Sequence, residues 1–141
     1  MTSYADTSFL TSLYLKDGHS HTADQLLPNL TECLLTPLHR AEWFHAIAQY
    51  VYRGVLIEIK ARELHRLFEQ DVKAGPWREV PFPEHAFELC ADLARRHGAK
   101  LGMRTLDTLH VACALELKAK EFWTFDDRQA KLAKAQGMRL R

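Results

Sequence analysis

No stretch of this 141-residue chain approaches the roughly 20 uninterrupted apolar side chains of a membrane span. The opening residues, Met1-Thr2-Ser3-Tyr4-Ala5-Asp6, lack both the basic start and the apolar run of a secretion signal. Cysteine is scarce: Cys33, Cys90 and Cys113 stand far apart, with no C-x-x-C. An odd, scattered set argues against a disulfide framework or a zinc cluster, and for a reducing, cytoplasmic setting. An excess of one charge is missing too. Nineteen Lys and Arg face eighteen Asp and Glu, a formal net charge of +1, whereas general nucleic-acid binders carry a marked basic excess. Between Leu117 and Arg141 seven basic residues face three acids, a pattern read first as solvated helix faces. Internal repeats, low-complexity tracts and dividing linkers are absent. Among eight histidines only His19 and His21 sit close together, and H-x-H alone is weak evidence for a metal.

What remains is a globular composition, 47% hydrophobic and 26% charged, in a chain of one-domain length that can bury a core without staples. Strand-like and helical segments alternate, the signature of an α/β fold around a mainly parallel sheet. Strands are expected over 2–5, 32–36, 77–82 and 121–125, with an edge strand over 138–141. The first is only weakly apolar. Helices are expected over 8–16, 22–30, 37–53, 58–73, 105–118 and 127–136. Another carries the stripe Ala86, Leu89, Cys90, Leu93, Ala94 and His97, is ended by Gly98 and gives way to a loop over 99–103. Thr36-Pro37 is the strongest helix start, a capping hydroxyl followed by proline at the first helical position. That helix should bury Leu38, Phe44, Ile47, Ala48 and Val51. Gly54 and Gly137 supply left-handed stops.

Four acids carry the chemistry: Asp6, Glu42, Asp107 and Asp126. Each has a local explanation. Asp6 and Asp126 are placed to cap helices, Asp126 with Gln129 completing a capping box. Asp107 sits in a first turn, where the helix dipole favours negative charge. Their shared position says more. In a parallel α/β sheet, helices running back against the strands begin at the carboxyl edge, and Asp6 and Asp126 leave the carboxyl ends of two strands. All four acids are expected at that edge, where open α/β sheets bind ligands. Carboxylates about 4 Å apart at an effective dielectric of about 20 repel by about 4 kcal/mol per pair, a cost that a cation or a proton must offset. Oxygen-only ligands select Mg²⁺ or Mn²⁺ over zinc, and such a cluster suits in-line attack on a phosphodiester.

At these residues the sequence resembles a PIN-domain ribonuclease of the VapC type, the toxin half of a toxin–antitoxin pair. Three blocks carry the resemblance: Y-A-D-T-S-F-L at 4–10; L-L-T-P-L-H-R-A-E at 34–42; and T-L-D-T-L-H-V-A-C-A at 105–114 with T-F-D-D-R-Q-A-K-L-A at 124–133. The resemblance implies a three-layer α/β/α sandwich over 1–141 with a short-stranded, mainly parallel sheet. It makes Asp6, Glu42, Asp107 and Asp126 the metal-binding and catalytic acids. Thr7, Ser8, Thr124 and Asp127 then orient carboxylates or contact substrate, and Arg104 is a phosphate contact. It further implies Mg²⁺ or Mn²⁺ as cofactor, an RNA substrate, a cognate antitoxin, a homodimer and a cytoplasmic protein with no membrane association.

Other side chains are read as structural. Tyr14, Trp43, Tyr50, Tyr52 and Phe68 look exposed on their helices, but an aromatic stripe at helical spacing more often belongs to the core. His110 is expected to be a packed helix residue and Cys113 a small buried apolar group. Three rivals stand beside the nuclease. Glu42-x-x-His45 and Asp107-x-x-His110 loosely match the ligand pairs of di-iron bundles, against which the strand-like segments speak. A phosphoaspartyl phosphatase or receiver would need other acids near strand one. An inactive PIN-like module that binds RNA or protein gives no electrostatic reason to keep four mutually repelling carboxylates.

Overall fold

Tyr4 lies between Leu34 and Phe122 on the neighbouring strands, and this row of three sets the two faces of the molecule. Successive side chains of a strand point to opposite faces, so Ala5, Leu35 and Trp123, one residue on, face the other way. The computed structural model describes residues 2–15, 25, 28, 32–75 and 77–141. The expected 22–30 helix, Lys16 and the His19–His21 pair lie outside the described residues, apart from Gln25 and Pro28.

The sheet comprises β1 (Thr2–Ala5), β2 (Glu32–Leu35), β3 (Trp77–Glu79), β4 (Glu121–Trp123) and β5 (Arg139–Leu140). Its spatial order is β3-β2-β1-β4-β5 and every pairing is parallel. On the Trp123 face pack α1 (Thr7–Ser12), α2 (Pro37–Tyr52) and α3 (Glu58–Ala74), burying Phe9, Trp43, Ile47 and Phe68. On the Tyr4 face pack α4 (Ala86–Leu93), α5 (Thr105–Glu116) and α6 (Asp127–Ala135), burying Leu93, Val111, Ala112 and Leu132. The result is the expected three-layer α/β/α sandwich around a short-stranded parallel sheet.

The weakly apolar first strand occupies the centre of this sheet. Its Ser3 is fully buried because the hydroxyl donates to Glu121 Oε2 at 3.1 Å. Glu121 is in turn paired with Arg141 at 3.2 Å and Arg139 at 3.7 Å. A polar residue is tolerated there because each buried group has a partner.

Several expected boundaries shift. The first helix begins at Thr7, since Asp6 caps it, and ends at Ser12 rather than running to 16. β2, β3, β4 and β5 are shorter than expected. The buried face of α2 is His39, Trp43 and Ile47, whereas Phe44 is about half exposed (47%) and Ala48 is exposed. Trp43 takes the core position because its ring stacks on Phe68 with centroids 4.5 Å apart and its indole N–H reaches His65 Nδ1 at 3.0 Å. Trp43 and Phe68 are thus core and Tyr52 is exposed.

Gly98 does not end the helix after α4. The chain continues through a π-helical segment, Ala94–Gly98, and a last turn, Ala99–Leu101. Gly102, at φ +65°, is the left-handed stop, and its N–H bonds Gly98 O at 2.7 Å. A mid-helix glycine costs only about 1 kcal/mol, too little to stop a helix whose next residues are Ala, Lys and Leu. Gly54 and Gly137 do act as expected, at φ +75° and +88°.

Candidate active site

Asp6 leaves β1, Asp126 leaves β4, Glu42 stands in the second turn of α2 and Asp107 in the first turn of α5. The parallel sheet therefore delivers all four to its carboxyl edge. Asp6 caps α1, its Oδ1 accepting the Phe9 N–H at 2.8 Å, and Asp126 caps α6 by accepting the Gln129 N–H at 2.9 Å. The capping box expected at Asp126 does not form. Gln129 is fully buried, and its side chain turns to Thr124 Oγ1 at 2.7 Å and, through Nε2, to the Asp107 carbonyl at 3.0 Å. Bridging β4 to α5 through a buried amide satisfies more orphan groups than a second bond to an already capped helix end.

Thr124 is the hub between Asp6 and Asp126. Its Oγ1 accepts the Asp126 N–H at 3.0 Å and lies 2.9 Å from Asp6 Oδ2. The hydroxyl has one proton and faces two acceptors, Asp6 Oδ2 and Gln129 Oε1. It cannot serve both fully while Asp6 is ionised. Burial pushes the Asp6 carboxyl above its ordinary value, against the pull of the Phe9 N–H and Thr124. A buried carboxylate short of donors is a group that gains from a proton or a cation.

Glu42 is held differently. Its Oε1 meets His110 Nε2 and accepts the Thr7 hydroxyl at 2.8 Å. Burial alone would raise its pKa, but His110 and Thr7 outweigh it and bring the carboxyl below the ordinary range. His110, expected to be mere packing, is indeed buried in α5, yet both ring nitrogens are engaged. Its Nδ1 lies 2.7 Å from Tyr4 Oη. His39, which sequence reasoning passed over, is buried too. Its Nδ1 accepts the Thr36 N–H at 3.0 Å, so its proton is on Nε2, which donates to the Ala5 carbonyl at 2.8 Å. Burial pushes it down to about 3. His39 therefore ties α2 to the end of β1, one residue before Asp6.

The remaining candidates divide. Ser8, Glu42, Arg104, Thr105, Leu106 and Asp107 line an open cavity of about 490 Å³. Arg104 is largely exposed and pairs with Asp107 Oδ2 at 3.6 Å. A more apolar cavity of about 430 Å³, lined by Leu38, Ala41, Glu42, His45 and Leu106, adjoins it. Asp127 is exposed on the first turn of α6. His45 is bonded to the Ala41 carbonyl at 2.8 Å, and the sheet itself excludes a di-iron bundle.

Comparison with known proteins fits this geometry. Residues 3–135 match the family model of the PIN domain. The chain belongs to the PIN domain family. No curated protein matches it; solved structures supply likenesses at the level of the fold. FitAcB from Neisseria gonorrhoeae superposes with a TM-score of 0.71 at 19% identity, covering 98% of this chain and 95% of that one. VapBC2 from Rickettsia felis, bound to a promoter DNA fragment, gives 0.68 at 13%, covering 100% and 98%. The Mycobacterium tuberculosis toxin VapC20, which cleaves the sarcin–ricin loop, gives 0.67 at 14%, covering 92% and 93%.

PIN domains as a class use a divalent cation. Among the described residues no three His, Cys, Asp or Glu side chains are grouped closely enough to hold a metal, so the expected close cluster is not assembled. The donor chemistry nonetheless fits. The set is all carboxylate, and Asp6 is buried with fewer donors than its oxygens can accept. Hard oxygen ligands of this kind favour Mg²⁺ or Mn²⁺.

Proposed function

We propose that this PIN domain is a divalent-cation-dependent endoribonuclease and the toxin of a VapBC-type pair. The observation that carries the reading is the meeting of β1, α2, β4 and α5 at one edge, with Asp6 linked through Thr124 and Gln129 to Asp126 and Asp107. Capping accounts for Asp6 and Asp126 and the helix dipole favours Asp107, but neither accounts for Glu42 in the second turn of α2.

Asp6, Asp107 and Asp126, with Glu42 alongside, would hold Mg²⁺ or Mn²⁺. Such a cation supplies charge neutralisation at a phosphodiester and acidifies an attacking water. The protein's own groups do the rest. Glu42, kept ionised by Thr7 and His110, accepts the proton that water loses as its oxygen bonds phosphorus, and as the P–O ester bond breaks the leaving oxygen takes a proton from solvent. Arg104 gives the cavity an exposed guanidinium for a phosphate oxygen. Thr124 and Gln129 fix the carboxylates of Asp6 and Asp126 so that they need not reorganise when substrate arrives. RNA as substrate follows the toxin VapC20 in kind, and the pairing with an antitoxin follows the VapBC likeness. A homodimer and a cytoplasmic setting belong to the same reading.

The test is cleavage of end-labelled total RNA by the purified, partner-free protein in Mn²⁺ or Mg²⁺, beside an EDTA control and Asp107→Asn. Metal-dependent cutting that the substitution abolishes is expected. A folded protein that leaves every RNA intact, while still retaining RNA on a filter, would replace the nuclease with a binding module.

A further inference from the structure

Tyr4, His110 and Glu42 come from β1, α5 and α2 and form one continuous polar chain, of which the nuclease reading above uses only Glu42 and the charge-stabilising contact from His110. Tyr4 and His110 are buried, and the chain ends at the half-buried Glu42, on the wall shared by both cavities of the carboxyl edge. A buried imidazole in an apolar helix needs its two nitrogens satisfied, one as donor and one as acceptor. Packing alone would be served by any partner. Here the partners have opposite character.

The direction of the chain follows from the groups themselves. Tyr4 has one hydroxyl proton and two neighbours able to receive it, His110 Nδ1 at 2.7 Å and the Cys113 thiol. An imidazole nitrogen is a far better acceptor than a thiol, so the proton goes to Nδ1. Burial holds the Tyr4 phenol well above its usual range, so that proton stays available. With Nδ1 accepting, the ring's own proton sits on Nε2 and points at Glu42 Oε1. The Thr7 hydroxyl reaches the same oxygen and lies 3.3 Å from Nε2, so Oε1 receives two donors from two different elements. The other carboxylate oxygen is left for chemistry.

We propose that His110 is a positioning residue: locked by Tyr4 as the Nε2–H tautomer, it fixes the Glu42 carboxylate in the orientation that the phosphodiester reaction uses. Orienting a catalytic carboxylate through a neighbour whose tautomer is set one bond further out is the arrangement by which outer groups tune metal and acid–base sites. The inference rests on the proposed role of Glu42, and its test separates the two.

The test combines a spectrum with kinetics. Long-range ¹⁵N–¹H correlation of the histidine rings in the wild-type protein is expected to show His110 with its proton on Nε2, and Tyr4→Phe to lose that single-tautomer pattern while thermal unfolding stays cooperative. In RNA cleavage, His110→Asn, whose amide sits near the Nδ1 position, is expected to lower kcat about 10–100-fold with little change in KM, the range typical of outer-shell losses. His110→Gln, whose amide reaches the Nε2 position, is expected to recover most of that loss. A wild-type spectrum with the proton on Nδ1 overturns the inference whether or not the protein cuts RNA. Equal losses in the Asn and Gln variants, tracking their melting temperatures, also overturn it, because that is the behaviour of a packing residue. Undiminished cleavage by Asp6→Asn and Glu42→Gln counts instead against the nuclease site, and the spectrum still decides the tautomer.

Discussion

Replacing Thr124 by valine removes one hydroxyl and almost no volume, which makes it the cleanest probe of the carboxyl edge. In the wild-type protein Oγ1 contacts Asp6 Oδ2 at 2.9 Å, Gln129 Oε1 at 2.7 Å and the Asp126 N–H at 3.0 Å. Valine leaves all three without that partner. Asp6 and Gln129 are buried and Asp126 is half-buried, so solvent replaces the lost bonds only at Asp126. A net hydrogen bond contributes about 0.5–1.5 kcal/mol, and a buried group left unpaired costs about 1–3 kcal/mol. The expected destabilisation is therefore about 2–3 kcal/mol, or a fall in Tm of about 6–12 °C for a domain of this size.

Thr124→Ser is the control, since it keeps the hydroxyl and gives up one methyl group, worth about 1 kcal/mol. Urea and thermal unfolding at neutral pH measure both variants. Hydrogen exchange adds a local readout: the Asp126 amide, which donates to Thr124, should lose protection in Thr124→Val, while the Phe9 amide, which donates to Asp6, should keep it. A valine variant within about 0.5 kcal/mol of the serine variant would refute the hub, because that is the scatter of ordinary surface substitutions.

Four further outcomes are expected. His39 is held neutral by burial, with a folded value near 3 against 6.5 unfolded, so the unfolded state binds the extra proton as pH falls. Stability should decline between pH 6.5 and about 3 by up to about 1.4 kcal/mol per unit, partly offset by Asp6, whose raised carboxyl works in the opposite sense; His39→Gln should flatten the slope in urea titrations at pH 7 and 4.5. Trp43→Ala, which empties the stack on Phe68, should cost about 3–5 kcal/mol in the same assay. Trp123 Nε1 is buried with no partner among the described residues, so Trp123→Phe should fall within about 1 kcal/mol of wild type, since it removes an unpaired donor along with some packing. Mn²⁺ or Mg²⁺ at about 100 times its Kd should stabilise the protein by about 2.7 kcal/mol, visible as a rise in Tm that Asp6→Asn diminishes; a wild-type Tm indifferent to both ions would remove the cation from the proposal.

The sequence by itself determined the architecture and the edge. Thr36-Pro37, Gly54 and Gly137 are local stops and starts whose backbone demands do not depend on distant contacts, and each acts as expected. The same holds for Asp6 and Asp126 as helix caps, and a parallel sheet then leaves little freedom over which edge they occupy. Gly98 does not stop its helix because a glycine's cost inside a helix is small, and Gly102, four residues on, supplies the stop. On α2 the pattern holds for Ile47 and, half-buried against the core, for Leu38 and Val51; it fails at Phe44, which is as apolar as Trp43, because only the rings of Phe68 and Tyr14 choose between them. What tertiary structure alone decided is the wiring of the site. Tyr4 meets His110 across 106 residues, His110 meets Glu42 across 68, and Thr124 meets Asp6 across 118. A histidine in an apolar helix has the same local pattern whether it packs or holds a carboxylate. The difference arises only when α2, α5 and β1 close around it, because a buried hydrogen bond is specified by both of its partners and a sequence segment contains just one.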